Sequence, residues 1–356
     1  MSMPIREFPD FFVPLPGFGA YLYSSVYFRP PILGILKSAM VDNVLVMAEV
    51  EPYRTIVPMI EEQCRVVRWN PAEDTWQLEL DSIDGIYVYA HIKVGPELMD
   101  RMPKLKVISN FGVGVDHVDL SAAEQRGIPV GNTPNVLDGA TADITFALLL
   151  AGARNIVKGD HFARGPDFVA YDPSFMLGQE VHNQVLGIVG LGNIGYQVAR
   201  RAQGFDMTVL YHNRNRNEKA EADLGVRYAS LDELLAQSDF VALNMPLTDE
   251  SRGMIGRREL GLMKKSAVLV NAARGGVVDH EALLQTLMAG KLHAAALDVT
   301  EPEPLPRDHP LLALDNVIII PHLGSATEQT RQAMSERSVG NLLAGLKGEE
   351  LLSRIV

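Results

Sequence analysis

Val185-Leu186-Gly187-Ile188-Val189-Gly190-Leu191-Gly192-Asn193-Ile194-Gly195 runs from an apolar segment straight into a glycine fingerprint, and a helical pattern, Tyr196–Ala202, follows it. Strand, glycine-rich turn and helix come in the order that a dinucleotide site needs. Gly190 lets the chain turn sharply, Gly192 lets a pyrophosphate approach the backbone, and Gly195 lets the helix pack tightly on the strand. The helix N-terminus then offers free N–H groups and the positive end of its dipole to the phosphates. Glycines also mark ordinary turns, but a fingerprint set between a strand and a helix reads as a site for NAD or NADP.

The next strand, Met207–Tyr211, bears on which of the two. An NAD site wants an Asp or Glu about 20 residues on, to take the ribose 2′-OH. Here the strand ends in His212-Asn213-Arg214-Asn215-Arg216, and the first acid is Glu218. Arginine pairs bidentately with phosphate and keeps its charge. Asn213, Arg214 and Arg216 are therefore the candidate contacts to a 2′-phosphate. NADP(H) is the expected cofactor and NAD(H) the alternative; a solvated loop with incidental arginines is the competing reading.

The chain has 356 residues, enough for two domains with separate cores. Its net charge of −12 argues against nucleic acid or an anionic membrane as the main partner. Cys64 is the only cysteine, so no internal disulfide can form, which fits a reducing compartment and an expected cytoplasmic location. No uninterrupted apolar stretch suggests a transmembrane span. Phe11–Pro31 is rich in aromatics and proline, with Glu7 and Asp10 beside Arg6 where a signal peptide would be basic. Residues 1–39 read as a disordered extension, or as an upstream start that is not used, and Met40 opens the first strand pattern.

From Asn43 onward, strand and helix patterns alternate: strands near Val44–Ala48, Val66–Trp69, Gly85–Tyr89, Val107–Asn110 and Val130–Asn132, with helices between them. A long apolar helix, Thr141–Ala153, comes next. The alternation resumes with strands at Leu186–Val189, Thr208–Tyr211, Phe240–Leu243, Ala267–Asn271, Ala294–Leu297 and Val317–Ile320, and the helix Glu328–Leu346 follows. Alternation of this kind implies parallel sheets covered on both faces. The expected class is α/β with two doubly wound parallel-sheet domains. A Rossmann dinucleotide-binding domain, residues 141–322, is inserted into a flavodoxin-like substrate-binding domain, residues 40–140 and 323–356.

Three segments at strand ends carry candidate chemistry, because ligands of open α/β sheets bind outside the carboxyl ends of the strands. Asn271-Ala272-Ala273-Arg274-Gly275-Gly276 places an arginine that can grip a carboxylate with two parallel hydrogen bonds. Asp298-Val299-Thr300-Glu301-Pro302-Glu303-Pro304-Leu305-Pro306 fixes the path of Glu303 with three prolines. Pro321-His322-Leu323-Gly324 sets a histidine between a strand and a helix start. Read singly, these are a turn arginine, a rigid acidic loop and a structural histidine. Together they can converge on one substrate. Arg274 clamps a carboxylate, His322 exchanges a proton with the reacting oxygen, and Glu303 orients the imidazole and favours its protonated form. A protonated histidine beside a carbonyl is what hydride addition requires, since the forming alkoxide must be neutralised.

At these residues the chain resembles the D-isomer-specific 2-hydroxyacid dehydrogenase family, and within it the glyoxylate/hydroxypyruvate reductase branch. The resemblance covers about Val44 to Gly348. It rests on Asn110–His117 (NFGVGVDH), Gly127–Pro134 (GIPVGNTP), Thr141-Ala142-Asp143, the fingerprint Gly190–Gly195, and the three segments above. It implies that Arg274, Glu303 and His322 form the catalytic set, and that the backbone amides of Val113 and Gly114 hold substrate. It implies that Asp298 accepts the nicotinamide carboxamide, and that Thr141, Asn193, Ile194 and Pro246 contact the cofactor. A homodimer joined through the nucleotide domains is implied too, with no metal. One departure is that Gly165–Gly178 holds Phe168, Tyr171 and Phe175 but no Trp, which that branch commonly carries in its dimer loop.

The expected activity is NADPH-dependent reduction of glyoxylate or hydroxypyruvate to glycolate or D-glycerate. The alternatives are an NAD-linked dehydrogenase of another D-2-hydroxy acid and a nucleotide-sensing scaffold of the corepressor kind. Arg214 and Arg216 speak against the first. No regulatory domain or long tail is expected beyond Val356, which separates the chain from many phosphoglycerate members and from the corepressors.

Overall fold

The computed structural model describes residues 41–72 and 74–356, so the expectations for residues 1–39 lie outside the described residues. Five strands form the first sheet: β1 (Asn43–Met47), β2 (Arg65–Arg68), β3 (Ile83–Tyr89), β4 (Val107–Phe111) and β5 (Val130–Gly131). They pair in parallel in the order β2-β1-β3-β4-β5. Seven more form the second: β6 (Val185–Val189), β7 (Thr208–His212), β8 (Arg227–Tyr228), β9 (Phe240–Leu243), β10 (Val268–Asn271), β11 (Ala294–Leu297) and β12 (Val317–Ile319). Their order is β12-β11-β10-β9-β6-β7-β8, again all parallel. The order reverses between β6 and β9, and such a switch point is where a doubly wound sheet opens a crevice for a ligand.

Each sheet is covered on both faces, which is why its strands read as unbroken apolar runs. In β1, Val44 and Val46 face one core with Ile56, Ile60, Met334 and Leu342, while Leu45 and Met47 face another with Met99, Met102 and Ala123. In the seven-stranded sheet, Ile188, Val209, Tyr211 and Val270 lie under Phe146, Leu149, Val198 and Ala202. The opposite face, with Val189, Leu210, Val241 and Leu269, carries Leu234, Leu260, Leu283 and Leu287. Large side chains such as Tyr211 and Phe240 are fully enclosed, and burial of each such group stabilises the fold by about 1.5–3 kcal/mol.

The chain crosses between the sheets twice. The helix Asp138–Ala153 leaves the first sheet and packs on β10, β11 and the helix Asn193–Gln203. Gly152 makes the close contact possible, since a Cβ there would lie 2.9 Å from Val268 Cγ1. After β12 the chain returns, and the helix Glu328–Lys347 packs on β3 and β4.

Three helices fall outside the patterns expected from the sequence. Glu218–Leu224 and Arg257–Leu262 are short and mostly polar. Ile156–Arg164 buries none of its residues, and leaves Ile156 and Val157 exposed. The 14 residues after it, 165–178, leave Phe168, Val169, Tyr171, Phe175 and Leu177 exposed, with the Phe162 ring edge-on to Phe168 and tilted against Phe175. Among the described residues no single helix is long and apolar enough to cross a membrane.

Candidate active site

The glycine loop leaves β6 at the switch point. Gly190 sits at φ 97, and a Cβ on it would lie 2.5 Å from the Met245 nitrogen. A Cβ on Gly195 would strike the Gly190 carbonyl oxygen at 2.3 Å. Gly192, by contrast, faces open space, with nothing within 4 Å of its Cβ direction. It caps the helix Asn193–Gln203 without any side-chain hydrogen bond, so no side chain occupies the first N–H groups. Close by, past β9, the amide of Asn244 is buried with neither its oxygen nor its nitrogen partnered. A tight turn, an open approach, an uncapped helix start and an unsatisfied amide fit a bound dinucleotide phosphate. Asn193 also donates to Asn135 Oδ1 at 2.7 Å, and Ile194 packs against both sheets' cores, so this loop touches both halves of the molecule. Pro246 lies exposed past β9, its carbonyl taken by Ser251.

The end of β7 is organised differently from the sequence reading. Asn213 is bound to the glycine loop, accepting from the Leu191 N–H at 2.6 Å and donating to its carbonyl at 3.3 Å. Arg216 is engaged by Glu221, with Nε–Oε1 3.0 Å and Nη2–Oε2 2.5 Å, and its guanidinium lies 5.9 Å from the Tyr228 ring centre. The hydrogen bonds from Arg216 and from Tyr211 hold the Glu221 carboxyl below the usual range. Of the two guanidiniums expected at a 2′-phosphate, only Arg214 is exposed and free of hydrogen bonds and ion pairs among the described residues.

Arg274 follows β10 on a rigid turn. Asn271 donates to its carbonyl at 2.9 Å, and a Cβ on Gly275 would collide with the Thr300 backbone. Its Nε donates to Asp116 Oδ1 at 3.0 Å and its Nη1 to the Ala273 carbonyl at 2.9 Å. Its Nη2 lies over Gly114, where a Cβ would come within 1.8 Å. The carbonyls of Val113 and Gly114 accept from Asn132 and Asn110, each at 2.9 Å, and their N–H groups donate to no group among the described residues.

His322 stands just past β12 at φ 54, a conformation that side chains seldom adopt. Asp298 holds it there. The His322 N–H donates to the Asp298 carbonyl at 2.9 Å, while Leu323 N–H and Gly324 N–H donate to the two carboxylate oxygens at 2.5 and 2.9 Å. Burial raises the Asp298 carboxyl against those two N–H groups and the His322 charge. Thr141 borders the same spot, its Oγ1 3.4 Å from where a Gly324 Cβ would stand. Nδ1 of His322 and Oε1 of Glu303 are 2.7 Å apart. Burial alone would raise the Glu303 carboxyl; the hydrogen bond from His322 and its charge outweigh that and hold it low.

The structure therefore brings Arg274, Glu303 and His322 to one cleft, with Val113 and Gly114 on the facing wall. Three groups there escaped the sequence reading. Asp116 lies inside the NFGVGVDH motif, but only the fold shows that it meets Arg274. His117 is buried with Nε2 2.9 Å from Asn110 Oδ1, and burial lowers its ring to about 4. His91, past β3, has its ring centre 5.4 Å from that of His117 and 5.3 Å from that of His322. A lone histidine after a strand carries no signal of such a cluster.

Comparison with known proteins agrees with this architecture. Residues 146–324 match the model of the D-isomer specific 2-hydroxyacid dehydrogenase NAD-binding domain. A glyoxylate reductase of Korarchaeum cryptofilum is 48% identical over 295 residues, covering 82% of this chain and 89% of the relative. The NADPH-dependent glyoxylate/hydroxypyruvate reductase of Sinorhizobium meliloti, solved with NADP and malonate, superposes with a TM-score of 0.80 at 32% identity, over 89% of this chain and 97% of that one. A D-lactate dehydrogenase of Aquifex aeolicus, solved with NAD and lactic acid, gives a TM-score of 0.79 at 30% identity, over 88% and 99%.

Proposed function

The chain belongs to the D-isomer specific 2-hydroxyacid dehydrogenase family, and on that premise we propose that it reduces glyoxylate and hydroxypyruvate to glycolate and D-glycerate, with NADPH preferred over NADH. The observation that carries the reading is the 2.7 Å contact of His322 with Glu303 in the cleft that Arg274 lines.

The residues divide the work as follows. Arg274 has Nε and Nη1 committed to Asp116 and Ala273, which leaves Nη2 for a substrate carboxylate, beside the free N–H groups of Val113 and Gly114. Glu303 takes Nδ1 of His322, so Nε2 is the nitrogen that gives a proton to the C2 oxygen. The ionised Glu303 stabilises the imidazolium that this step consumes. Gly190, Gly192 and Gly195, with Asn193 and Ile194, hold the pyrophosphate; Thr141 and Asp298 hold the carboxamide; Pro246 flanks the cofactor. Bound nicotinamide supplies the hydride that C2 receives. Arg214, supported by Asn213 and with Arg216 nearby, takes the 2′-phosphate.

One observation favours the NADH-linked alternative: Arg216 is already paired with Glu221. Steady-state reduction of glyoxylate, hydroxypyruvate and pyruvate with each cofactor tests the proposal. A kcat/KM for NADPH below that for NADH removes the cofactor preference, and turnover confined to pyruvate removes the substrate assignment.

Two further parts of the proposal concern organisation. The exposed apolar arm, Ile156 to Leu177, is the contact through which two copies form a homodimer, since exposed apolar patches of this kind mark interaction sites. Residues 141–322 form the cofactor domain, and 40–140 with 323–356 the substrate domain.

A further inference from the structure

His91 has no part in the set just described, yet it lies against it. Ala90, at φ 72, turns the chain sharply out of β3. The His91 ring is thereby set between two other imidazoles, 5.3 Å from His322 and 5.4 Å from His117. His117 is itself fixed by Asn110, so the packing behind His91 is rigid. His91 is open to the cleft, and its ring nitrogens make no hydrogen bond among the described residues.

We infer that His91 is a specificity-determining residue: it receives the C3 substituent of a 2-oxo acid and favours substrates with a neutral hydrogen-bonding group there. The inference rests on the proposed reduction and deepens it. With the carboxylate at Arg274 and the C2 oxygen at His322, the remaining substituent is the one on C3. His91 is the imidazole that borders His322 from the facing wall. Desolvation by the surrounding groups, and then the charges of Arg274 and His322, lower it from the ordinary histidine value. At neutral pH the ring is therefore mainly uncharged, with one nitrogen donating and the other accepting. A cation there would compete with Arg274 for the carboxylate. A neutral ring instead matches a hydroxyl, and leaves a pair of polar atoms unsatisfied when C3 is a methyl.

Hydroxypyruvate and pyruvate differ only in that hydroxyl, so their ratio is the measurement. In His91→Leu the ratio of kcat/KM for hydroxypyruvate to that for pyruvate falls roughly fivefold or more, and His91→Asn, which keeps a donor and an acceptor, recovers part of it. A second reading uses enzyme saturated with the oxidised dinucleotide, where neither oxo acid can turn over. There the ratio of the two dissociation constants shifts in the same sense. Ratios that stay put in both variants overturn the inference and leave the proposed function standing. A ratio that falls equally in both variants also overturns it, because loss of ring volume is then sufficient. Failure of the unmodified enzyme to reduce any 2-oxo acid overturns the proposed function, and the inference with it.

Discussion

Arg274 of the seven-stranded unit and Asp116 of the five-stranded unit form a hydrogen-bonded ion pair, Nε to Oδ1 3.0 Å, with both side chains about one-fifth exposed, at 19% and 23%. The guanidinium is thus aimed by a residue on the opposite wall. Burial would raise the Asp116 carboxyl, but the charge and hydrogen bond of Arg274 hold it below its ordinary value of 3.8. A carboxyl held low in the fold contributes stability above its unfolded value and loses it as pH falls through the folded one. The stability gap between the native protein and Asp116→Asn should be about 1–2 kcal/mol at neutral pH, and should close below pH 3.8. Urea titrations across that range measure it. Asp116→Asn should also raise KM for glyoxylate more than it lowers kcat.

His322→Ala should lower kcat by about a hundredfold or more, the range for loss of a general acid, with a smaller change in KM. Glu303→Gln keeps the shape but removes the carboxylate that accepts from His322 Nδ1. Reduction should lose kcat by about tenfold, the worth of a charge-assisted hydrogen bond, with KM little changed. An unchanged kcat would show that the ring needs no carboxylate partner.

Arg214→Ala should raise KM for NADPH by about tenfold, the worth of a charge-assisted contact to phosphate, and leave NADH use almost unchanged. Arg216→Ala separates the two arginines. Because Arg216 is bound to Glu221, its loss should lower the melting temperature more than it changes the NADPH-to-NADH ratio. Equal effects of both substitutions on that ratio would return Arg216 to the phosphate site.

The apolar arm predicts an oligomer. Phe168→Asp combined with Val169→Asp should shift the protein toward half its native mass in sedimentation, since each charge placed in a buried contact costs several kcal/mol. A native protein that sediments as a monomer at micromolar concentration contradicts the proposed homodimer.

The parts of the molecule that were legible in the sequence are those whose signal is local. The strands Phe240–Leu243 and Ala294–Leu297 were read at their true limits, because both faces of the sheet are covered and the apolar run ends where burial ends. Glu303 and His322 were legible because proline and strand ends fix their directions. Arg216 was legible as a charge but not as a partner of Glu221, five residues on, because a helix that buries little, Glu218–Leu224, brings that acid back. Asp116 and His91 were hidden for another reason. Their partners, Arg274 and His322, are more than 150 residues away in sequence, 158 in the first case, and no periodicity encodes which wall of a cleft faces which.

Gly114 gives that arrangement a mechanical meaning. The space its missing side chain leaves is filled from the other unit by Arg274 Nη2, at a distance where a single carbon would collide. Gly114→Ala would act as a wedge. Either the guanidinium swings off Asp116, or the two walls part by the width of a methyl group, and both release the same anchor. Residue 114 therefore works as a spacer gauge between the two walls, and a one-carbon change there would disturb the carboxylate site through the fit of the walls rather than through removal of a charged group.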